Sequence, residues 1–443
     1  MFKRTLTFLL LAGSASLVFS QEISQKSDEL LEAFAGLNKF NGTVLIYQND
    51  NILLEKGYGF KDVESKTLNN SNTIFQIGSI TKQFTAMVIL KLLERNQLSL
   101  SDKLSKYYPD FPKGDSITLE HLLTHTSGIF NYTDDASFMS TEVTKPANEQ
   151  KILALFKDKD LQFSPGSNWA YSNSGYSLLG YIIEKVTETP YEEVVRKFIF
   201  APLEMKNSGF DFAGLVHKEK ATGYNNPEQK SIVVDSSVSY AGGAIYSTVW
   251  DLLKWHNALQ TNKLIANTLL EKAYTPYMNN YGYGVTIDSV FNKRRIAHGG
   301  GIFGFTSYIT RVPEDNVCIV VLNNINNRHL ADISNRLLAI IYGKAYEIPA
   351  PRQEIELGTD ILQRYIGIYE VRPDFSITVT LEDGRLIAQP SGQRKSPLFA
   401  MTENRFFLKD VEVEVEFLSD KTTGIDKLVF YQNGKATAGK KIK

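Results

Sequence analysis

Phe75-Gln76-Ile77-Gly78-Ser79-Ile80-Thr81-Lys82 carries most of the information about the architecture and chemistry of this chain. Its first four residues predict a short strand and a turn, and the residues from about Ile80 to Glu94 predict a long helix. A serine in the first turn of a helix lies beside unpaired backbone N–H groups and the positive end of the helix dipole. A lysine three residues later lies on the same helix face, so its amine can reach and activate the serine hydroxyl.

Two further motifs follow along the chain. Tyr171-Ser172-Asn173 lies in a polar loop that opens a helix, and His298-Gly299-Gly300-Gly301 lies at the end of a strand. Each motif also has an ordinary structural interpretation: Ser79 as a helix cap, Lys82 as a solvated lysine and Asn173 as a turn former. Because the three motifs occur together and in this order, the functional interpretation is favoured.

The three motifs resemble those of the serine penicillin-recognising enzymes, which carry S-x-x-K, S-D-N and K-T-G in the same order. With its tyrosine, the second motif resembles that of the branch which contains class C β-lactamases, D-Ala-D-Ala carboxypeptidases and related esterases. The resemblance covers roughly Phe40 to Tyr342. Further signatures that agree with this branch are Leu122-Leu123-Thr124-His125-Thr126-Ser127-Gly128, Pro165-Gly166-Ser167, and Ala241-Gly242-Gly243 followed by Ser247 and Asp251-Leu252.

The resemblance implies an α+β fold, in which an antiparallel sheet is flanked by helices and carries a helical region. The pattern along the chain agrees, because strand-like segments near both ends enclose helical periodicity from about 80 to 275. Beyond a proline-bearing linker, closely spaced strands with Asp-Gly and Asn-Gly turns predict a small antiparallel β-barrel, which resembles lipocalin-like modules appended to this family. The predicted divisions are a signal peptide at 1–20, a hydrolase domain at 21–346, a linker at 347–354 and a β-rich domain at 355–443.

The resemblance also implies catalytic roles. Ser79 attacks a carbonyl to form an acyl-enzyme, and Lys82 and Tyr171 share the base and acid roles; which of the two takes the first proton stays open. Lys82 must then be partly buried, since desolvation disfavours its charged form, and a nearby lysine cation favours release of the phenol proton. The N–H groups of Ser79 and Gly301 form the implied oxyanion hole. No metal or other cofactor is expected.

Asn173, His298 and Gly300 are the predicted substrate-binding residues. Asn173 can hold Lys82 in place and bind an amide carbonyl of the substrate, and the glycines let a substrate backbone lie close to the strand edge. His298 stands where the best-known β-lactamases carry a lysine, whose permanent charge can hold a carboxylate. We expect His298 to titrate at about pH 6–7 and, through its charge, to set the preference between anionic and neutral substrates.

The first twenty residues have the composition of a signal peptide. Lys3 and Arg4 precede an apolar run, and Val18-Phe19-Ser20 offers a small-residue cleavage site, so we predict an exported protein, periplasmic or secreted. Removing this segment leaves 46 basic against 49 acidic residues, a balance that argues against nucleic acid or an anionic membrane surface as a partner. No segment of the chain predicts a transmembrane helix. Cys318, the single cysteine, is predicted to be a buried hydrophobe.

Several patterns that mimic other sites are rejected. Gly299-Gly300-Gly301-Ile302-Phe303-Gly304 matches a dinucleotide-binding fingerprint, but a strand pattern follows it instead of a helix. His298 and the glycines after it also mimic a lipase oxyanion loop, but the chain has no G-x-S-x-G elbow. His121 and His125 have the spacing of a zinc helix without its glutamate, so we expect capping or packing roles for them.

The predicted function is that of an exported serine hydrolase that acts on amide or ester substrates, with D-amino-acid-containing peptides or β-lactam-like compounds as the leading classes. Two alternatives stay open. One is an esterase with little β-lactam turnover, which the histidine at position 298 favours; the other is a slowly deacylating penicillin-binding or sensor module. Small molecules or peptides are the predicted partners, and the sequence leaves the natural acyl donor and the oligomeric state undetermined.

Overall fold

The computed structural model describes residues 20–443 apart from positions 328, 410–412, 421–423 and 433–434. Residues 1–19 of the predicted signal peptide therefore lie outside the described residues. The predicted turn at Asn433-Gly434 lies outside them as well. The chain divides into two compact units, and the boundary along the sequence falls between Pro349 and Ala350, inside the predicted linker. In the part of the chain that is described, no helix is both long and apolar enough to cross a bilayer.

The helices and strands have the following bounds. The helices are α1 (20–36), α2 (Thr81–Glu94), α3 (Leu119–Leu123), α4 (Ala136–Thr141), α5 (Glu149–Ala154), α6 (Asn173–Thr187), α7 (Tyr191–Val195), α8 (Ser236–Gly243), α9 (Val249–Gln260), α10 (Asn267–Ala273), α11 (Leu330–Ile341) and α12 (Thr359–Leu362). The strands of the first unit are β1 (Gly42–Gln48), β2 (Asn51–Tyr58), β3 (Phe60–Asp62), β4 (Thr67–Leu68), β5 (Phe75–Gln76), β6 (Tyr224–Asn226), β7 (Gln229–Lys230), β8 (Tyr246–Ser247), β9 (Thr286–Val290), β10 (Lys293–Ile302), β11 (Phe305–Val312) and β12 (Val317–Asn323). Those of the second are β13 (Gly367–Arg372), β14 (Phe375–Glu382), β15 (Arg385–Pro390), β16 (Ser396–Pro397), β17 (Phe399–Ala400), β18 (Arg405–Phe407), β19 (Val413–Asp420), β20 (Gly424–Gln432) and β21 (Lys435–Lys441).

The first unit is built on one antiparallel sheet of order β2-β1-β12-β11-β10-β9, six strands within the described residues. Strands β1 and β2 come from the start of the unit and pair with β12 from its end. The helices α2 to α10 lie between them in sequence. The predicted α+β arrangement, a sheet of distant segments with a helical region inserted, is confirmed.

Strand β12 shows why both faces of this sheet are covered. Val317, Ile319 and Val321 pack in the cluster that holds α1 and α11. Cys318, Val320 and Leu322 point to the opposite face and pack in the cluster of the helical region. Alternate residues of a strand face opposite sides, so a strand that is apolar throughout lies between two layers. Cys318 is fully buried, as predicted, and burial raises the pKa of its thiol to about 12.

Helix α2 lies in the centre of the helical region. From Thr81 to Leu90 every residue is buried, which is typical of a helix enclosed by protein on all sides. Phe84 stacks on Trp255 of α9 with ring centroids 4.4 Å apart. A polar side chain between Thr81 and Leu90 is therefore placed in an environment of low polarity.

The second unit is a single antiparallel sheet of order β16-β15-β14-β13-β21-β20-β19-β18-β17, counted over the described residues. Its two outermost strands are joined through one residue, Leu398, whose N–H bonds to the carbonyl of Leu386 at 2.8 Å. The sheet is thus nearly closed on itself. Tyr365, Phe406 and Phe417 pack against each other inside it. The predicted antiparallel barrel is confirmed.

Candidate active site

Ser79 lies at the start of α2, in a helical turn formed by Gly78–Ile80. Strand β5, which pairs with β8, leads into this turn. Gly78 has φ +49°, a conformation that side chains rarely adopt. A Cβ at this position would also lie only 2.8 Å from the backbone nitrogen of Gly301. The glycine thus allows the β10 backbone to approach Ser79, which stays half-buried and accessible.

Lys82 is fully buried behind Ser79, and three polar atoms surround its amine. Its Nζ lies 3.1 Å from Ser79 Oγ, 2.7 Å from Asn173 Oδ1 and 2.8 Å from the carbonyl oxygen of Gly242. The last two atoms can only accept, so each takes one N–H of the amine. Burial lowers the pKa of Lys82 well below its usual range, which favours the neutral amine. A neutral amine has only two N–H bonds, so with both given to these acceptors its lone pair would face the Ser79 hydroxyl.

Asn173 is held in place by Asn131 and Thr133, which the sequence motifs did not indicate. Asn173 begins α6, which Ser172 caps, and its backbone N–H donates to Asn131 Oδ1 at 2.9 Å. The side-chain Nδ2 of Asn173 donates to Thr133 Oγ1 at 3.0 Å, and Asn131 Nδ2 donates to the same hydroxyl oxygen at 2.7 Å. This network turns Asn173 Oδ1 toward Lys82. The one available signal was position, since Asn131 and Thr133 come shortly after the signature that ends at Gly128.

Tyr171 lies over the amine of Lys82, whose Nζ is 4.8 Å from the centre of its ring. Its phenol interacts with Ser79, and the His125 ring packs against it with centroids 4.3 Å apart. Burial raises the pKa of Tyr171, and the hydrogen bond with Ser79 opposes this shift without cancelling it. The expectation that a lysine cation draws off the phenol proton is therefore wrong for the resting protein. Burial favours the neutral forms of both groups.

The two histidines of the rejected zinc pattern have structural roles, as predicted. The His121 ring accepts the N–H of Thr118 and completes a capping box at the start of α3. His125 Nδ1 accepts the backbone N–H of Ser172 at 3.1 Å, so it supports the loop that carries Tyr171.

His298 lies in β10 with its ring buried and both nitrogens bonded. Nδ1 lies 2.6 Å from the carbonyl oxygen of Gly299, so Nδ1 carries the proton, and Nε2 accepts from the Tyr281 hydroxyl at 2.8 Å. Burial lowers the pKa of His298 to about 4. The expectation that His298 titrates at about pH 6–7 is wrong, because desolvation disfavours the imidazolium; an effect of His298 on substrate preference stays a prediction.

Gly300 and Gly301 face opposite ways from the same strand. A Cβ at Gly300 would lie 2.0 Å from the carbonyl oxygen of Ile77, so this glycine permits the contact between β10 and the turn that holds Ser79. A Cβ at Gly301 would meet no heavy atom within 4 Å. Gly301 and Ser79 both line a cavity of about 400 Å³, together with Asn173. That the backbone N–H groups of Ser79 and Gly301 form an oxyanion hole stays a prediction, as does substrate binding by Gly300.

The edge of β10 beside this cavity is open. Strand β9 pairs with β10 only from Lys293 to Ala297, whereas β11 pairs with it from Ile296 to Ile302. Over the described residues, no strand therefore covers the outer edge of β10 from His298 onward. Such an edge presents backbone donors and acceptors to an extended ligand.

Comparison with known proteins agrees with this geometry. The β-lactamase family matches residues 28–343, and a domain of unknown function, DUF3471, matches residues 351–441. Penicillin-binding protein 4* of Bacillus subtilis (strain 168) is 30% identical over 437 residues, which span 91% of this chain and 96% of that protein. The putative penicillin-binding protein PbpX of the same strain is 32% identical over 310 residues, 68% of this chain and 75% of its own.

Solved structures show the same fold. The octameric penicillin-binding protein homologue from Pyrococcus abyssi superposes with a TM-score of 0.67 at 27% identity and covers 94% of this chain and 99% of its own. The D-amino acid amidase from Ochrobactrum anthropi SV3 superposes with a TM-score of 0.62 at 23% identity, over 71% of this chain and 98% of its own. At this identity the two proteins share the fold. Since the family match covers most of the chain and the site residues meet in one place, this protein belongs to the β-lactamase family of serine hydrolases.

Proposed function

We propose that this protein is an exported serine hydrolase that cleaves amide or ester bonds through an acyl-enzyme on Ser79. The observation that carries the proposal is the buried amine of Lys82, whose Nζ lies 3.1 Å from Ser79 Oγ and within hydrogen-bond distance of Asn173 Oδ1 and the Gly242 carbonyl oxygen. An adjacent uncharged base is what a serine hydroxyl needs in order to attack a carbonyl. The signal-peptide pattern of residues 1–20 supports export.

In the proposed acylation, Ser79 Oγ bonds to the substrate carbonyl carbon while its proton passes to the lone pair of Lys82. The backbone N–H groups of Ser79 and Gly301 stabilise the oxyanion. Tyr171 gives its phenol proton to the departing nitrogen or oxygen as the bond to the carbonyl carbon breaks, and it regains a proton from Lys82. The leaving group departs neutral, and both catalytic side chains return to the forms that burial favours.

Deacylation uses the same groups in the opposite direction. Water adds to the acyl carbon, its proton passes to Tyr171, and the phenol proton passes to Lys82. Lys82 then protonates Ser79 Oγ as the ester bond breaks, so the acid product leaves and the hydroxyl is restored. Tyr171 carries protons in both half-reactions without existing as a free phenolate, whose formation the raised pKa disfavours.

The substrates that this proposal favours are amides or esters of D-amino-acid-containing peptides or related compounds. The names of the two Bacillus subtilis relatives support reaction with penicillin. A neutral His298 gives no fixed cation for a substrate carboxylate, which favours an esterase or amidase over an efficient β-lactamase. A slowly deacylating sensor module is the remaining alternative.

Labelling by a fluorescent penicillin, followed by mass spectrometry of the adduct, tests the proposal. We expect label on wild type at Ser79 and none on Ser79→Ala; an adduct on another serine of the variant would contradict the assignment. Turnover of p-nitrophenyl esters and D-amino-acid amides is then followed under the same conditions. Sustained turnover supports an enzyme, whereas a single burst without turnover supports the sensor module.

A further inference from the structure

The cavity beside Ser79 has two walls from distant parts of the chain. One wall comes from the helical region and contributes Met139 of α4 with Val234 and Val238. The other is the β10–β11 hairpin, which contributes Ile302, Phe303 and Phe305. Ser79 lies between them. A volume of about 400 Å³ accommodates a substituent of the size of a benzyl group.

The hairpin wall is held rigidly. Phe305 is buried and makes edge-to-face contacts with Phe212 and Phe75, with centroids 5.3 and 6.5 Å apart. Gly304 turns the hairpin with φ +78°, and a Cβ there would lie 2.8 Å from the backbone of Gly223. The cavity is therefore a preformed feature of the fold, which reduces the entropic cost of binding a ligand.

The lining is neutral as well as largely apolar. Over the described residues, each polar side chain that lines the cavity is a hydroxyl or an amide, as in Ser79, Thr133 and Asn173. Burying a carboxylate among such groups costs free energy that no opposite charge returns. Burying an apolar group there is favourable in proportion to its area.

The position of Tyr171 decides which part of the substrate the cavity receives. Tyr171 interacts with Ser79, and a group that protonates the leaving atom must lie on the leaving-group side. Neither Tyr171 nor His298 is among the described residues that line the cavity, whereas Asn173 and Gly301 are. The cavity is therefore lined by groups around Ser79 other than the proposed proton donor, as expected for the acyl side rather than the leaving-group side.

We propose that this cavity is an acyl-side subsite for a neutral, apolar substituent, such as the aromatic or branched side chain of the residue whose carbonyl Ser79 attacks. The proposal rests on the proposed acyl-enzyme function and defines its substrate class. It distinguishes this protein from a carboxypeptidase that selects a small alanine on the acyl side.

Three p-nitrophenyl esters with one leaving group test the subsite: the acetate, the phenylacetate and the 4-carboxyphenylacetate. Each is hydrolysed to the corresponding carboxylic acid and p-nitrophenol. Because one methylene in an apolar pocket changes kcat/KM by about 10-fold or more, wild type is expected to prefer the phenylacetate to the acetate by at least about 10-fold. It is expected to prefer the phenylacetate to the 4-carboxyphenylacetate by a similar factor.

Phe303→Lys places a cation at the half-exposed rim of the cavity and is expected to invert the preference between the two phenylacetates. Met139→Lys, on the opposite wall, provides a second variant if the first does not fold. The matched control is Phe291→Lys, at an exposed turn outside the cavity lining, which is expected to keep both wild-type ratios.

The subsite is overturned if wild type hydrolyses the carboxylated ester as well as the neutral one. It is also overturned if neither folded lysine variant changes the ratios, or if the control changes them equally. In each of these cases Ser79-dependent hydrolysis of the acetate would still support the proposed function. In a series of acetate esters with different leaving groups, kcat/KM could instead depend on the leaving group. Such a dependence, together with equal kcat/KM for esters with different acyl groups, would overturn the assignment to the acyl side.

Discussion

Replacing Lys82 by methionine is expected to abolish acylation. It is also expected to remove one pH-dependent contribution to the free energy of unfolding. The folded protein holds Lys82 with a pKa well below 10.5 because of burial, whereas the unfolded chain binds a proton at this site up to about 10.5. Between these two pKa values the unfolded state binds one more proton than the folded state. The free energy of unfolding therefore rises with pH in this window and falls as the pH drops.

The magnitude follows from that proton difference. One proton changes the free energy of unfolding by about 1.4 kcal/mol for each pH unit inside the window. From about pH 7.5 to about pH 9, the unfolding free energy of wild type is expected to rise relative to that of Lys82→Met, with about 1.4 kcal/mol per pH unit as the upper limit. This interval lies above the range in which histidines titrate, so the difference between the two proteins isolates Lys82. Methionine also leaves Asn173 and Gly242 without a donor, but that loss does not depend on pH.

Urea unfolding followed by tryptophan fluorescence measures this quantity. All three tryptophans, Trp169, Trp250 and Trp255, belong to the first unit, so the signal reports on the unit that contains the site. The exposed Lys206→Met is the matched control and is expected to keep the wild-type slope. Parallel pH profiles for wild type and Lys82→Met would refute the reasoning, because Lys82 would then keep its proton in the folded protein and could not act as the resting base.

Three further outcomes are expected. Gly300→Ala places a Cβ within 2.0 Å of the Ile77 carbonyl oxygen. It is expected to lower the free energy of unfolding by about 1–3 kcal/mol and the rate of acylation by at least about 10-fold. Gly301→Ala, whose Cβ meets no heavy atom within 4 Å, is the control and is expected to keep the wild-type stability. Since the pKa of His298 is about 4, the ratio of kcat/KM for a D-Ala-D-Ala peptide to kcat/KM for a neutral ester is expected to stay constant between about pH 6 and about pH 7. A ratio that falls over this range in wild type but not in His298→Gln would contradict this expectation. A chain that ends at Pro349 is expected to acylate Ser79 measurably, because every site residue lies in the first unit; loss of labelling in a truncated chain with native circular dichroism would show that the second unit shapes the site.

Local pattern was enough to predict much of the fold. The helix expected from about Ile80 to Glu94 is observed at Thr81–Glu94, because its apolar residues and the preceding glycine turn act within one segment of chain. Cys318 was likewise predicted to be buried, and the burial of β12 on both faces explains why it is. Where the determining contacts are local, periodicity predicts them well.

The protonation states of the site could not be predicted in this way. The pKa of His298 is set mainly by burial, which arises only once segments distant in sequence, among them the one that carries Tyr171, pack against the ring. Asn131 and Thr133 were missed for a related reason, since an asparagine and a threonine in a loop carry no pattern until the fold places Asn173 against them. Spacing predicts which side chains can meet, whereas their charges depend on what encloses them.

Lys82 shows how the two kinds of information combine. A lysine three residues after a serine on a solvated helix would be an ammonium and could not accept the serine proton. We propose that the same spacing forms a nucleophile and base here, because α2 is buried from Thr81 to Leu90 and because distant Asn173 and Gly242 accept hydrogen bonds from the amine. It follows that a substitution which admits water to the middle of α2 would weaken acylation at neutral pH without touching any motif residue, since it would return the pKa of Lys82 toward its ordinary value.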